Sequence, residues 1–221
     1  MKTLRGAKNS TVKLGVQRGN SPELLYFDVT RGDVPVNSVD VSFEAAKGIG
    51  YIKVSKFARN TYNEFITAIA KLKQAGCTSF VIDLRGNTGG YMDAAINMIN
   101  EFMPEGRLIV YTEGKSFPRS DVYANGTGTC KDAPIVVLTD EISASASEIF
   151  SGAIQDNDRG TIVGRRSFGK GLVQRQIPYS DGSALRLTTA RYYTPTGRSI
   201  QKPYTIGDDE SYEEDIWNRY K

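Results

Sequence analysis

The stretch from Asp140 to Gln174, DEISASASEIFSGAIQDNDRGTIVGRRSFGKGLVQ, concentrates the residue types that could do chemistry. Serines stand at the start of an expected helix, and a lysine between two glycines follows 25 positions after Ser145. The whole sequence contains no histidine, so a Ser-His-Asp triad cannot form and a serine nucleophile must find another base. Lys170 is the candidate. To act as a general base its amine must be uncharged near neutral pH, which means lowering its pKa from about 10.4 to about 7 or 8. That shift costs on the order of 4 kcal/mol, and the neighbours must enforce it. Gln174, four residues on in a strand-like segment, could orient the amine without adding a charge. The competing expectation is an ordinary surface lysine in a flexible loop.

Ser145-Ala-Ser-Glu148 fits the capping box S-x-x-E, and Ala146, Ile149, Phe150, Ala153 and Ile154 supply an apolar face behind it. Ser145 could therefore do no more than cap a helix. The same geometry also sets a serine beside unpaired backbone N–H groups at a positive dipole end, which can stabilise an oxyanion. The N–H of Ala146 is one candidate donor. The glycine-rich turn RGNTGG could offer the other from Gly89 or Gly90, although such a turn also serves as a plain strand-to-helix connection. Ser143 and Ser147 lie two places to either side of Ser145, and neither spacing nor capping chooses among the three.

Two rival motifs fail on inspection. GRRSFGKG, residues 164 to 171, nearly matches the phosphate loop G-x-x-x-x-G-K-[ST]. Gly171 cannot supply the magnesium hydroxyl, however, and a strand-like segment follows where a helix is needed. Ser167 to Lys170 fits S-x-x-K, but glycines flank the lysine where that motif needs a helix, and S-D-N and K-T-G are absent.

The elements that must hold these residues follow from periodicity. TVKLGVQR alternates apolar and polar, and LLYFDVT reads as a second strand after a turn, together resembling the tail of a domain whose start lies upstream. RGDVPVNSV is an extended connector, with Pro35 holding Val34 out of helical angles. Then come a strand (IGYIKVS), a helix over residues 61 to 75, the doubly buried strand SFVIDL, the turn RGNTGG and a helix (YMDAAINMINEFM) stopped by Pro104. The strand RLIVYTE, a polar loop, the doubly buried strand APIVVLT and the serine-bearing helix complete the core. This order predicts an α/β fold of βαβ units. Ligands in such sheets gather at the strand carboxyl ends, where RGNTGG and DEISASAS lie. TIVG, LVQRQI and ALRLTTARYYT are expected to close the fold as antiparallel strands. Ser42, Tyr51, Phe57 and Tyr91 are candidates for lining a pocket, with packing the first expectation for the aromatics.

Composition excludes several classes. With 28 basic and 25 acidic residues well mixed along 221 positions, the net charge of +3 gives no footprint for nucleic acid. No apolar run approaches the roughly 20 residues of a membrane span, and the first residues lack the apolar core of a signal peptide. Cys77 and Cys130 have no metal-ligand spacing, so no structural metal is expected. Each precedes a buried strand, and if those strands are neighbours the pair comes within disulfide reach.

Taken in order, TRGDVPVNSV, VIDLRGNTGG, DEISASASEIFSGAIQDNDRGTIVGRRSFGKGLVQ and DGSALRLTTARYYTPTGRSIQKP resemble the C-terminal processing peptidases, or tail-specific proteases, of the S41 serine peptidase family. The resemblance implies a crotonase-like (ClpP/crotonase) α/β core over residues 31–221, preceded over residues 1–30 by a remnant of a PDZ domain and a linker strand. It implies a Ser-Lys endopeptidase with Ser145 as nucleophile, Lys170 as general base and Gln174 orienting it. The oxyanion hole falls to Ala146 and to Gly89 or Gly90. The implied partners are C-terminal segments of protein or peptide substrates, a homo-oligomer is allowed, and neither cofactor, metal nor nucleic acid is required. The location is extracytoplasmic, periplasmic or cell-envelope, with the targeting segment upstream. The other readings are a peptide-binding scaffold with a misaligned dyad and crotonase-type acyl-CoA chemistry.

Overall fold

The computed structural model describes residues 3–19, 21–32, 36–205 and 207–219; for Asp209, Glu213 and Ile216 it describes the backbone alone. The extended connector expected around Val34 and Pro35 lies outside the described residues. The chain divides into two compact units, Met1–Val36 and Asn37–Lys221. In the first, β1 (Thr11–Gln17) and β2 (Leu24–Thr30) pair antiparallel from Thr11 opposite Thr30 to Gln17 opposite Leu24. Arg31 ties the ends of this hairpin, donating to the Leu4 carbonyl at 2.8 Å and to the Ser10 hydroxyl at 2.8 Å. Both strands stand where alternation predicted them.

The second unit is built on two sheets. The five-stranded sheet runs β3 (Val39–Ala46), β4 (Ile49–Val54), β5 (Ser79–Asp83), β8 (Ile135–Thr139) and β9 (Thr161–Gly164). β3 is antiparallel to β4, whereas β4, β5, β8 and β9 are parallel neighbours. Phe80, Ile82, Ile135 and Val137 are buried, but the alternate residues Val81, Val136 and Leu138 are only half-buried, so β5 and β8 are not enclosed on both faces as their near-continuous apolar runs had suggested. Between the strands run α1 (Thr61–Gln74), α2 (Met92–Asn100) and α3 (Ala146–Asp156). Phe65, Ile69 and Leu72 point inward from α1, and Ile149, Phe150, Ala153 and Ile154 from α3. Phe102, just beyond α2, meets Phe65, Phe80 and Phe150 edge-on at centroid distances of 6.2, 6.3 and 6.4 Å, joining all three helices to the sheet.

The second sheet is antiparallel: β10 (Leu172–Pro178), β11 (Ala184–Tyr193), β6 (Leu108–Gly114) and β7 (Phe117–Tyr123). Three expectations are corrected here. β6 leaves the βαβ series for this sheet, and the polar loop after it contains β7. TIVG becomes β9, which joins β8 in parallel and does not close the fold antiparallel. β3, which the sequence reading passed over, edges the first sheet. α4 (Asp209–Asn218) occupies the acidic C-terminal stretch, for which no helix was expected. Cys77 and Cys130 precede neighbouring strands as foreseen, but both thiols are free and buried. No helix among the described residues is long and apolar enough to cross a membrane.

A buried charge pins β4 to β5 at the sheet's carboxyl end. Asp83 is 1% exposed and accepts from the Tyr51 hydroxyl at 2.5 Å, the Arg85 guanidinium at 2.7 Å and Lys53 at 3.4 Å. Burial alone would raise its pKa, but the Arg85, Tyr51 and Lys53 contacts outweigh it and hold the carboxyl at about 2. Because the folded value lies below the unfolded one, the stabilisation is complete above about pH 4 and disappears as pH falls toward 2. The stability gap between the wild-type chain and Asp83→Asn, measured by urea unfolding, should therefore shrink by roughly 2 kcal/mol between pH 5 and pH 2. A gap that stays constant over that range would contradict this account.

Candidate active site

Parallel pairing of β5 and β8 sets the turns that follow them side by side. The Leu84 N–H donates to the Leu138 carbonyl at 2.9 Å, and the Gly86 N–H donates to the Asp140 carboxylate at 2.8 Å. Asn87, fully buried, locks the two turns. Its amide donates to the Val54 carbonyl at 2.9 Å, and its backbone carbonyl accepts from the Ala144 N–H at 3.0 Å and the Ser147 hydroxyl at 2.9 Å. RGNTGG and DEISASAS thus form one structure at one end of the sheet, where sequence order alone had put two separate candidates.

The three serines are no longer equivalent. Ser143 and Ser147 are fully buried, and their hydroxyls donate to the carbonyls of Leu84 at 2.8 Å and Asn87 at 2.9 Å. Ser145 is only half buried. Its backbone has φ 56° and ψ −111°, a region that non-glycine residues rarely occupy and that costs of order 1–3 kcal/mol. Gly89 explains part of this placement. With φ +95°, its Cα lies so close to the serine turn that an added Cβ would stand 2.6 Å from the Ala144 carbonyl oxygen and 2.8 Å from Ser145 Cβ.

Backbone donors surround this position. Among the described residues the Ala146 N–H, at the first position of α3, has no acceptor. The Gly89 N–H is engaged by Asn87 Oδ1 at 2.8 Å. Gly90 has no acceptor among the described residues, and the Gly89 carbonyl accepts from the Phe57 N–H at 3.0 Å. A trans peptide sends its N–H opposite to its carbonyl, so the Gly90 donor points away from Phe57.

Glu148 connects this turn to the lysine loop. Its carboxylate, 5% exposed, accepts four hydrogen bonds: from the N–H groups of Ser145 (2.9 Å), Gly169 (2.7 Å) and Lys170 (2.8 Å) and from the Ser167 hydroxyl (2.7 Å). The sequence had offered Glu148 only as a capping-box residue. Its bond to the Ser145 N–H is that half of the box, and the three bonds to residues 167–170 were not foreseen. Gly169 and Gly171 are glycines because residues 200–202 press on the loop. An added Cβ on Gly169 would stand 2.7 Å from Lys202 Cβ, and one on Gly171 would stand 2.4 Å from the Gln201 backbone nitrogen.

The backbones of Ser145 and Lys170 are thereby joined through one carboxylate, but their side chains are not. Lys170 is exposed, and among the described residues its ammonium makes no hydrogen bond to the Ser145 hydroxyl or to Gln174. Gln174 is also exposed, at a β-bulge between Val173 and Gln174. The residues considered for a pocket disperse. Phe57 is in the core, Tyr51 binds Asp83, Tyr91 is exposed beside Arg59, and Ser42 lines a recess with Asn63 and Glu64.

Comparison with known proteins agrees with this architecture. Residues 48–211 match the model of Peptidase family S41. The chain is 36% identical to the carboxyl-terminal-processing protease of Synechocystis sp. (strain ATCC 27184 / PCC 6803 / Kazusa) over 209 residues, covering 93% of this chain and 48% of that protein. It is 34% identical to carboxy-terminal processing protease CtpB of Bacillus subtilis (strain 168), covering 90% of this chain and 42% of that one. Among solved structures, the photosystem II D1 C-terminal processing protease superposes with a TM-score of 0.69 at 32% identity, covering 89% of this chain and 54% of that one. The chain spans about half the length of these relatives. With an α/β fold of mixed sheets and a family match across most of its length, the chain belongs to peptidase family S41.

Proposed function

We propose that this chain carries the catalytic apparatus of a serine endopeptidase that cleaves near the C-termini of protein substrates, with Ser145 as nucleophile, Lys170 as general base and Gln174 as its orienting partner. The observation that carries the reading is the turn itself. Of three neighbouring serines, Ser145 alone is not fully buried, it sits on a strained backbone beside the unpaired Ala146 N–H, and Glu148 ties that turn to the lysine loop.

In this reading Ser145 Oγ attacks the scissile carbonyl while the neutral Lys170 amine takes its proton. The oxyanion is held by the N–H groups of Ala146 and Gly90, and the protonated lysine then delivers the proton to the leaving amine. Water, giving a proton to the same amine, attacks the acyl carbonyl; the C–Oγ bond breaks to release the acid, and the ammonium returns its proton to Ser145 Oγ. The β-rich edges near the site suit a substrate bound as an added strand. The finer assignments, a crotonase-like core and a PDZ remnant in residues 1–30, belong to the same proposal, as does action outside the cytoplasm.

A second reading, a peptide-binding scaffold, is favoured by one observation: Lys170 is exposed and, among the described residues, its ammonium makes no hydrogen bond to Ser145. The two readings separate on substitution. Ser145→Ala and Lys170→Ala should each abolish cleavage of an unstructured peptide without altering the circular dichroism spectrum, and a serine-reactive probe should label Ser145 in the wild-type chain alone. Hydrolysis surviving both changes would remove the dyad, and peptide binding without any wild-type hydrolysis would support the scaffold. Glu148→Gln leaves one side-chain acceptor oxygen where four donors converge, so it should cost about 1–3 kcal/mol in urea unfolding and lower kcat more than it raises KM. Unchanged stability would mean that the four bonds contribute nothing net.

A further inference from the structure

The loop that carries Lys170 is held on its other side by a segment with no part in the chemistry above. The Lys202 N–H donates to the Gly169 carbonyl at 2.9 Å, and the Gly171 N–H donates to Gln201 Oε1 at 3.0 Å, so residues 201 and 202 bracket position 170. Lys202 itself is unusual. Its side chain is only 4% exposed, and its ammonium donates to the Tyr212 carbonyl at 2.6 Å and to Asp215 at 3.0 Å while lying 3.7 Å from the Tyr212 ring centre. Tyr212 and Asp215 both belong to α4. A buried ammonium without such partners would cost several kcal/mol, so the position of Lys202 depends on this helix.

The same helix reaches the loop a second time. Arg219, one residue past α4, donates to the carbonyls of Ser167 and Phe168 and forms an ion pair with Asp215. Asp215 is therefore shared by two cations, one reaching the loop through the Gly169 carbonyl and the other through residues 167 and 168. The ring from Asp215 through Lys202, Gly169, Phe168 and Arg219 back to Asp215 is closed.

We propose that α4 is a latch on the base-carrying loop, with Lys202, Asp215 and Arg219 as positioning residues that set where Lys170 stands relative to Ser145. None of the three touches the reacting atoms; they act through the backbone of residues 167–171. Glu148 fixes the loop from the Ser145 side and α4 from the opposite side, and both are needed to hold the exposed Lys170 and its two buried flanking glycines in one place. The functional half of this inference rests on the peptidase reading, whereas the structural half does not.

The test uses the full chain and the variants Asp215→Asn and Arg219→Met, with Asp121→Asn as a control that removes the Arg119 ion pair on β7. Amide hydrogen exchange reports on the Gly169, Lys170 and Gly171 N–H groups, and steady-state cleavage of an unstructured peptide reports kcat and KM separately. The latch predicts that both variants exchange these three amides at least about tenfold faster while amides of β5 and β8 are unchanged. It also predicts that kcat falls about tenfold or more with KM little affected, as misplacement of a catalytic group should do. The control should match the wild type in both measurements. Unchanged protection of the three amides overturns the latch, as does faster exchange with an unaltered kcat. If the wild-type chain cleaves nothing, the peptidase reading is what fails; exchange then decides the latch alone, loosened amides supporting it and unchanged ones overturning it.

Discussion

One carboxylate ties the serine turn of this chain to its lysine loop. Glu148 lies on the first turn of α3, yet three of its four hydrogen bonds go to residues 167–170. A carboxylate is the only side chain able to accept that many donors without contributing one, and its burial makes each bond expensive to lose. Serine turn and lysine loop are about 20 residues apart in sequence; among the described residues no other side chain bonds to both, and the Phe168 N–H adds one direct bond to the Ser143 carbonyl at 3.0 Å. The helix gains a cap and the site gains its spacing from the same group.

That carboxylate can work only because the sheet has already brought two turns together. β5 and β8 are adjacent and parallel, so RGNTGG and DEISASAS leave the sheet side by side; the Ser143 and Ser147 hydroxyls and the Asn87 backbone carbonyl hold the turns to each other, while the Asn87 amide anchors the first turn to Val54. Two of the three serines are thus structural, and the third is left on a backbone that the packing of Gly89 helps to impose. The arrangement is tightly bonded around Ser145. It is more open around Lys170, which has exposed surface and glycines on both sides.

Much of this was legible from local pattern. β5 and β8 are short, nearly continuous apolar runs, and such runs announce themselves even though Val81, Val136 and Leu138 are only half-buried, as does the apolar stripe of α1 with Phe65, Ile69 and Leu72. β7 contains Pro118 and mostly polar residues because it is an edge strand with little to bury, so it read as loop. β3 places Val41 and Phe43 on exposed surface, where alternation carries no burial signal. TIVG is four residues long, too short for its pattern to tell parallel from antiparallel. In the site, Ser145, Lys170 and the two glycine turns were visible as residue types at suggestive spacing. What separates Ser145 from Ser143 and Ser147 is a pair of carbonyls, on Leu84 and Asn87, about 60 positions earlier, and no window of sequence around the serines contains that information. Glu148 was read for its local partner alone, since capping is a short-range pattern and its bonds to the loop are not.

The twist of the main chain at residue 145 has a price in robustness that falls on the folded protein whether or not any peptide is present. Alanine there would silence the hydroxyl yet inherit the unfavourable dihedrals, while glycine would silence it and let the elbow relax. Two proteins lacking the same hydroxyl would then differ in melting point, the glycine form being the hardier, and the difference would gauge how much durability the sequence forgoes in order to present one oxygen atom to its surroundings.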